Sequence, residues 1–538
     1  MAQKKEQIPN RTNGIFPIIL LLLIYLSSTL SCSSPQPKNV SQTESGISNY
    51  FEAVKKNPVE LRQFLQKFPK GADLHNHLSG AMYAESYIEI AQRRNLCIDL
   101  QSKTFSSPPC NSSSRKPLRA LLDEKTDEGF SRRTEIIDAL STRNFDKRPI
   151  SGHEQFFSTF DRFFLTASTS RGDILAEATR RAAKQNILYL ELMQSVGMFE
   201  VASLAQSNGN LDAPFGERVD HQLVDQQVKR EIETLDQIEE RRRLLQNCNG
   251  PIDDQDGGCD VDVRYLAQVI RVLPPIQVYA QILLAHKLIK ADNRVVGLNL
   301  VAPEDHPVAL RDYRQHMRWI AELTRRFDIA SPGIALHAGE LVLGLVPPKH
   351  LGWHIREAIT VAGAKRIGHG IDIAHDDDMY GLLSKMRTEG VAVEINLTSN
   401  DVILGVKGSA HPLPTYLSHG VPLTLSTDDE GVSRIDLTHE YQRAVSTYDI
   451  EYKVLRALSR NALQYSFLPG ANLFVDTLTG QRVSECENIS VGAPDLVTSE
   501  CRSFLDKNLK ASKQWLLEEK IKSFEQGSRR RPIFHERS

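Results

Sequence analysis

The feature that most restricts this chain is a series of eight short apolar runs between Ala72 and Asp429, separated mostly by segments of helical spacing. They begin at Ala72, Ile187, Val261, Arg294, Gly333, Arg366, Val391 and Val421. An apolar run of that length reads as a strand covered on both faces, the pattern of a parallel sheet. Eight such strands alternating with helices imply a closed parallel barrel of the α/β class, a (β/α)8 TIM barrel.

Several runs break on polar residues at their C-terminal ends. His75 and His77 close the first, His337 and Glu340 the fifth, His369 the sixth and Asp428-Asp429 the eighth. Each alone is a weak signal, because a histidine at a strand end is more often a hydrogen-bonded structural residue. In a barrel all these ends meet at one mouth. His75 and His77, two apart, point to the same face and can grip one ion. Three imidazoles and a carboxylate meeting there form a nitrogen and oxygen site suited to zinc, with room for a water.

Composition narrows the partners. In 538 residues, 65 Lys and Arg balance 67 Asp and Glu, which leaves a net charge of -2 and nothing that points to nucleic acid or an anionic membrane. The tail Arg529-Arg530-Arg531 reads as a solvated C-terminus. Near the start, Lys4, Lys5 and Arg11 precede the apolar run Ile15 to Leu26, the pattern of a secretory signal. Thr29-Leu30-Ser31-Cys32 resembles a lipoprotein cleavage site, with Thr29 where an aliphatic residue is usual. Export is therefore expected, to the periplasm or cell envelope with a lipid anchor through Cys32, or to the extracellular space without one.

The expected organisation is a signal over 1–32, a polar tether over 33–48, the barrel over 49–510 with insertions near 97–151 and 202–260, and a C-terminal helix with a basic tail over 511–538. After Cys32 six cysteines remain, and 15 pairings are open to them. Their clustering favours the local staples Cys97-Cys110, Cys248-Cys259 and Cys486-Cys501. The aromatics of Phe156 to Phe164 lie at helical spacing and read as core. His350 and His354, four apart on a predicted helix, have Leu351 where a zinc protease carries its glutamate, so they read as helix-face residues.

From about His75 to Gly470, outside the insertions, the chain resembles the adenosine deaminase family, including its secreted members related to growth factors. The resemblance rests on Asp73-Leu-His-Asn-His77, His337-Ala-Gly-Glu340, Arg366-Ile-Gly-His-Gly370 and Ser426-Thr-Asp-Asp429, in family order. It implies one zinc per chain, held by His75, His77, His337 and Asp428, and hydrolytic removal of the 6-amino group of adenosine or 2′-deoxyadenosine. Glu340, kept protonated, would donate to the purine ring, while His369 and Asp428 would orient the attacking water. Asp429, the Ala302 amide, Ser79 and His77 would face the purine nucleoside. Glu394 is expected to fix the His369 ring.

The chain departs from the family pattern at four places. Ser79 stands for the acidic residue usual in sugar contact, Ala302 for a glycine, Asn396-Leu397 for a cysteine-proline pair, and Glu430 for a proline. A binuclear site would need a lysine at the end of the fourth strand, and Leu298 to Glu304 has none. Two alternatives stay open: a deaminase of another aminopurine, and a secreted binding or signalling module of the same fold. A homodimer is likewise left open.

Overall fold

The eight apolar runs fold as eight parallel strands in a computed structural model that describes residues 42–122, 126–208, 215–329, 333–492 and 497–528. They are β1 (Gly71–His77), β2 (Ile187–Gln194), β3 (Asp262–Ile270), β4 (Val295–Val301), β5 (Gly333–Ala338), β6 (Arg366–His369), β7 (Ala392–Ile395) and β8 (Leu423–Leu425). Each pairs in parallel with the next in sequence. The ring closes where His77 N donates to Asp428 O at 3.0 Å and Asp428 N donates to His75 O at 2.8 Å. Helices connect the strands on the outside, which makes this the expected (β/α)8 barrel.

The barrel interior is not wholly apolar. Arg366 is fully buried and forms ion pairs with Glu191 at 2.7 Å and Glu394 at 2.5 Å, with the Phe467 ring 3.9 Å from its guanidinium carbon. Two carboxylates and a ring face satisfy a cation that could not otherwise be buried.

Below the strands, α1 (Gln42–Val54) and α2 (Pro58–Lys67) pack on the barrel. The expected tether therefore ends early. Ile47, Phe51 and Val54 recur at helical spacing and bury, so residues 42–48 join a helix instead of staying extended. The aromatic segment lies in α3 (Gly152–Thr169), followed by α4 (Arg171–Lys184) and α5 (Met198–Asn208). The second insertion carries the long helix α6 (His221–Gln246), whose N-terminus Asp220 caps through the amides of Gln222 and Leu223. Toward the C-terminus come α7 (Leu397–Leu404), α8 (Leu437–Tyr448) and α9 (Leu509–Ser528). Leu517 and Ile521 of α9 cluster with Ala72, Leu74 and Tyr189, so the last helix seals the N-terminal end of the barrel.

The first insertion is more ordered than its composition suggests: Cys97–Asp99 pairs with Phe105–Ser106 and with Arg115–Pro117 in a small antiparallel sheet. All three expected disulfides are present. No helix among the described residues is long and apolar enough to cross a membrane. The signal segment 1–32, Cys32 and the tail 529–538 lie outside the described residues.

Candidate active site

Strand ends, not loops, set the centre of the barrel mouth. From β1 come His75 and His77, from β5 His337, and from the end of β6 His369, while Asp428 follows β8. His75 Nε2 lies 3.6 Å and His77 Nε2 3.3 Å from Asp428 Oδ1, and His77 Nε2 lies 3.4 Å from His337 Nε2. All are buried. Two ring nitrogens facing each other at that distance repel unless a proton or a cation lies between them.

The second nitrogen of each ring decides what the first can do. His75 Nδ1 donates to Glu394 Oε2 at 2.6 Å, and His337 Nδ1 donates to Asn299 Oδ1 at 2.8 Å. Both rings therefore turn Nε2 toward the centre. His77 Nδ1 is 2.8 Å from the Gln268 amide, whose other end meets Ser195 Oγ at 2.9 Å. That amide can turn over and keep both bonds, accepting from His77 Nδ1–H and leaving Nε2 bare. Burial lowers the His77 ring to about 4 and the His337 ring well below its ordinary value, so both are neutral. Burial lowers the His75 ring, yet Asp428 and Glu394 raise it to about 10, and its Nε2 is unpartnered. His75 gathers with His337, His369 and Asp428 within 4.8 Å, and His77 gathers with Asp428 and Asp429. A cation in place of the His75 proton fits this donor set, and its chemistry suits zinc.

Glu394 differs from expectation. It holds His75, not His369, because β7 pairs Glu394 with Gly368. A Cβ at Gly368 would lie 2.6 Å from His75 Cε1, so only glycine there lets the His75 ring reach Glu394. The His369 ring is met instead by Asn400 Nδ2 at 2.9 Å, with Asn396 Nδ2 at 3.5 Å from the same Nδ1. Ser399 Oγ donates to Asp428 Oδ2 at 2.6 Å.

Glu340 is buried, with one carboxyl oxygen lacking a partner. Burial, then the charges of Asp428 and Glu304, push its carboxyl well above the usual range. Its backbone is held from below. Glu304 accepts from Gly339 N and Glu340 N, both at 3.0 Å, and from His354 Nδ1 at 2.5 Å. His354 is thus a buried support of the Gly339-Glu340 turn and not a helix-face residue. Three non-glycine residues at the mouth have positive φ: Ala302 at 80°, His369 at 68° and Asp428 at 58°. Strain of this kind gathers where a site over-determines the backbone.

Over this centre opens a cavity of about 550 Å³ lined by His77, Ser79, Ala302, Glu340, Asp428 and Asp429, all expected at the site. One carboxyl oxygen of Asp429 is unpartnered. Phe156, Phe157, Phe160, Phe163 and Phe164 of α3 form much of the wall with Phe199 of α5. They are therefore more than core. Phe164 and Phe199, 48% and 41% exposed, meet edge to face at the rim. Glu430, standing where a proline is usual, is buried against Arg181 at 2.7 Å.

Sequence reasoning missed Gln268, Asn299, Glu304, Asn400 and His411 as parts of this site. A signal existed for two of them: Gln268 and Asn299 are lone amides inside apolar strands.

Residues 222–473 match the family model described as adenosine deaminase. An adenosine deaminase of Clostridium perfringens is 29% identical over 183 residues, 34% of this chain and 51% of that protein. One of Erwinia tasmaniensis is 34% identical over 152 residues, 28% of this chain and 42% of that protein. The chain thus spans about half the length of the curated relatives it matches. Among solved structures, the N6-methyl-AMP deaminase of Arabidopsis thaliana aligns with 76% of this chain and 94% of its own at 20% identity, with a TM-score of 0.47. A zinc-bound amidohydrolase of Burkhoderia ambifaria covers 76% and 88% at 16% identity, with a TM-score of 0.44.

Proposed function

The chain belongs, through residues 222–473, to the adenosine deaminase family, and on that premise we propose that it hydrolyses adenosine or 2′-deoxyadenosine to inosine or 2′-deoxyinosine and ammonia. The observation that carries this reading is the convergence of His75, His337, His369 and Asp428 within 4.8 Å, with His77 Nε2 3.3 Å from Asp428 Oδ1, beside a carboxyl group that burial keeps protonated. His75, His77, His337 and Asp428 would hold one zinc ion. When bound, zinc supplies Lewis-acid activation of a water molecule near neutral pH.

The other steps fall to the protein. Protonated Glu340 donates to N1 of the purine and makes C6 electrophilic. Asp428, fixed by Ser399, takes a proton from the water as its oxygen bonds to C6, and His369 orients that water. That proton passes to the 6-amino group, the C–N bond breaks and ammonia leaves, and the proton remaining on the C6 oxygen is released as the carbonyl forms, which restores the carboxyl of Glu340. Asp429 and the amide of Ala302 face the purine, and Ser79 lies toward the sugar, where its short neutral side chain makes no charged contact.

The cavity wall favours a nucleoside over a nucleotide. Arg171 is the one Lys or Arg in its lining, set against the carboxylates of Asp161 and Asp428. A phosphate would meet phenylalanines and carboxylates there. Export fits the three disulfides, which persist in oxidising compartments.

The test is purified protein with bound metal quantified and ammonia release followed from adenosine, 2′-deoxyadenosine, adenine and AMP. Release from the two nucleosides ahead of AMP is expected. Stoichiometric zinc with no release from any of the four would defeat the reading.

A further inference from the structure

His369 sits close enough to the zinc ligands to be one of them. It groups with His75, His337 and Asp428 within 4.8 Å, in the place the expected set gives to His77, and its Nε2 lies 4.0 Å from Asp428 Oδ2. What separates it from the ligands is the position of its proton, and a chain of buried side chains sets that position from a distance.

The chain starts at a donor that cannot reverse. The backbone amide of Leu413 donates to His411 Nδ1 at 3.1 Å, so that nitrogen must carry a lone pair. A neutral imidazole bare at Nδ1 carries its hydrogen on Nε2. Burial keeps His411 neutral, its pKa lowered to about 4. His411 Nε2–H therefore donates to Asn400 Oδ1 at 3.1 Å, which turns the Asn400 amide nitrogen outward. That nitrogen donates to His369 Nδ1 at 2.9 Å. His369 is left bare at Nδ1 and protonated at Nε2. Asn396 Nδ2, also near Nδ1, offers a second donor and reinforces the same choice. Asn400 is fully buried and His411 is 2% exposed, so water does not compete.

We propose that Asn400 and His411 are positioning residues that hold His369 in the tautomer bearing hydrogen on Nε2, which bars it from the metal and makes it a hydrogen-bond donor to the attacking oxygen. Two of the proposed ligating rings have the opposite arrangement: His75 and His337 both give their Nδ1 hydrogen to an oxygen acceptor and leave Nε2 for the ion. His77 joins them once its Gln268 amide, unlike Asn400, turns over. An acceptor behind a ring makes a ligand; a donor behind it makes a proton-bearing neighbour. The division of labour follows, with Asp428 left as the acceptor of the water proton. This inference rests on the deaminase reading for what the donor serves, but not for the tautomer itself.

The decisive variant is Asn400→Asp in the full-length zinc-loaded protein. The carboxylate keeps its bond to His411 but now accepts from His369 Nδ1, which moves the ring hydrogen and bares Nε2. X-ray absorption at the zinc edge should then count four imidazoles in place of three. Competition with a chelator should show zinc held at least about tenfold more tightly, and kcat should fall roughly a hundredfold or more. Three imidazoles and near-normal turnover in Asn400→Asp would overturn the proposal. Should that variant fail to fold, Asn400→Ser removes the donor without supplying a strong acceptor. The proposal expects lower kcat with KM within about twofold, and an unchanged kcat would sink it. The imidazole count is read without substrate, so an inactive wild type would refute the deaminase reading and leave this test standing.

Discussion

Glu340 must keep a proton in a place where a carboxylate would ordinarily lose it. Burial beside Asp428 and above Glu304 supplies the reason, and the unpartnered oxygen is free to meet a substrate. Glu340→Gln is expected to retain zinc and to lose at least roughly a hundredfold in kcat, since proton transfer of this kind contributes that much. Activity within about tenfold of wild type would remove Glu340 from the role. Glu304 gives a second residue test. Both of its oxygens accept from backbone N–H groups, so Glu304→Gln sets an amide NH2 against one of them. A loss of about 1–3 kcal/mol in stability is expected from that unmatched donor, together with a lower kcat, read by denaturant titration and initial rates.

At the scale of elements, α7 carries Ser399 and Asn400 to Asp428 and His369, and α8 anchors its first turn. Glu440 of α8 accepts from Thr398 N at 3.3 Å and from Thr398 Oγ1. Burial raises Glu440 from 4.5 to about 7. A carboxyl whose folded pKa is raised binds its proton more tightly when folded. Its contribution is full below about 4.5 and is lost as pH rises through about 7. Melting temperatures measured across that interval should fall less steeply for Glu440→Gln than for wild type. The rim of α3 and α5 offers a different expectation. Phe164→Ser with Phe199→Ser should raise nucleoside KM several-fold at nearly unchanged kcat, roughly the signature of lost uniform binding.

Much at this scale is legible in the sequence. Strand length and apolar content locate all eight strands within a few residues, because a parallel barrel covers both faces of each one. The role of Phe156 to Phe164 is not legible, since helical spacing says that a face is apolar but not whether it meets core or cavity. Nor is the partner of Glu394. Spacing within β7 could not show that Gly368 leaves a gap through which the His75 ring passes.

For the whole molecule, the proposed metal ligands come from three strand ends, and the barrel closes at the Asn76 bridge to Asp428. The closure that completes the barrel also places the carboxylate beside His75 and His77. Those ligands were readable because each breaks an apolar run. The groups behind these ligands, Asn299 and Gln268, and those behind His369, Asn400 and His411, lie far apart in sequence and gain meaning only once folded. The outer segments should be separable from this centre. Cys486 and Cys501 bury with Leu473, Phe474, Ala511 and Trp515, a cluster sharing no residue with the cavity lining. Replacing both cysteines by serine should cost about 3 kcal/mol by the loop-entropy estimate and leave kcat unchanged, measured by denaturant unfolding and assay.

The most direct measurement is zinc titration of chelator-treated protein with ammonia release from adenosine as the readout. No activity is expected without metal, with recovery that saturates at one zinc per chain, and no recovery in Glu340→Gln despite equal zinc. Full activity in the metal-free protein, or saturation with zinc and no ammonia released, would contradict it.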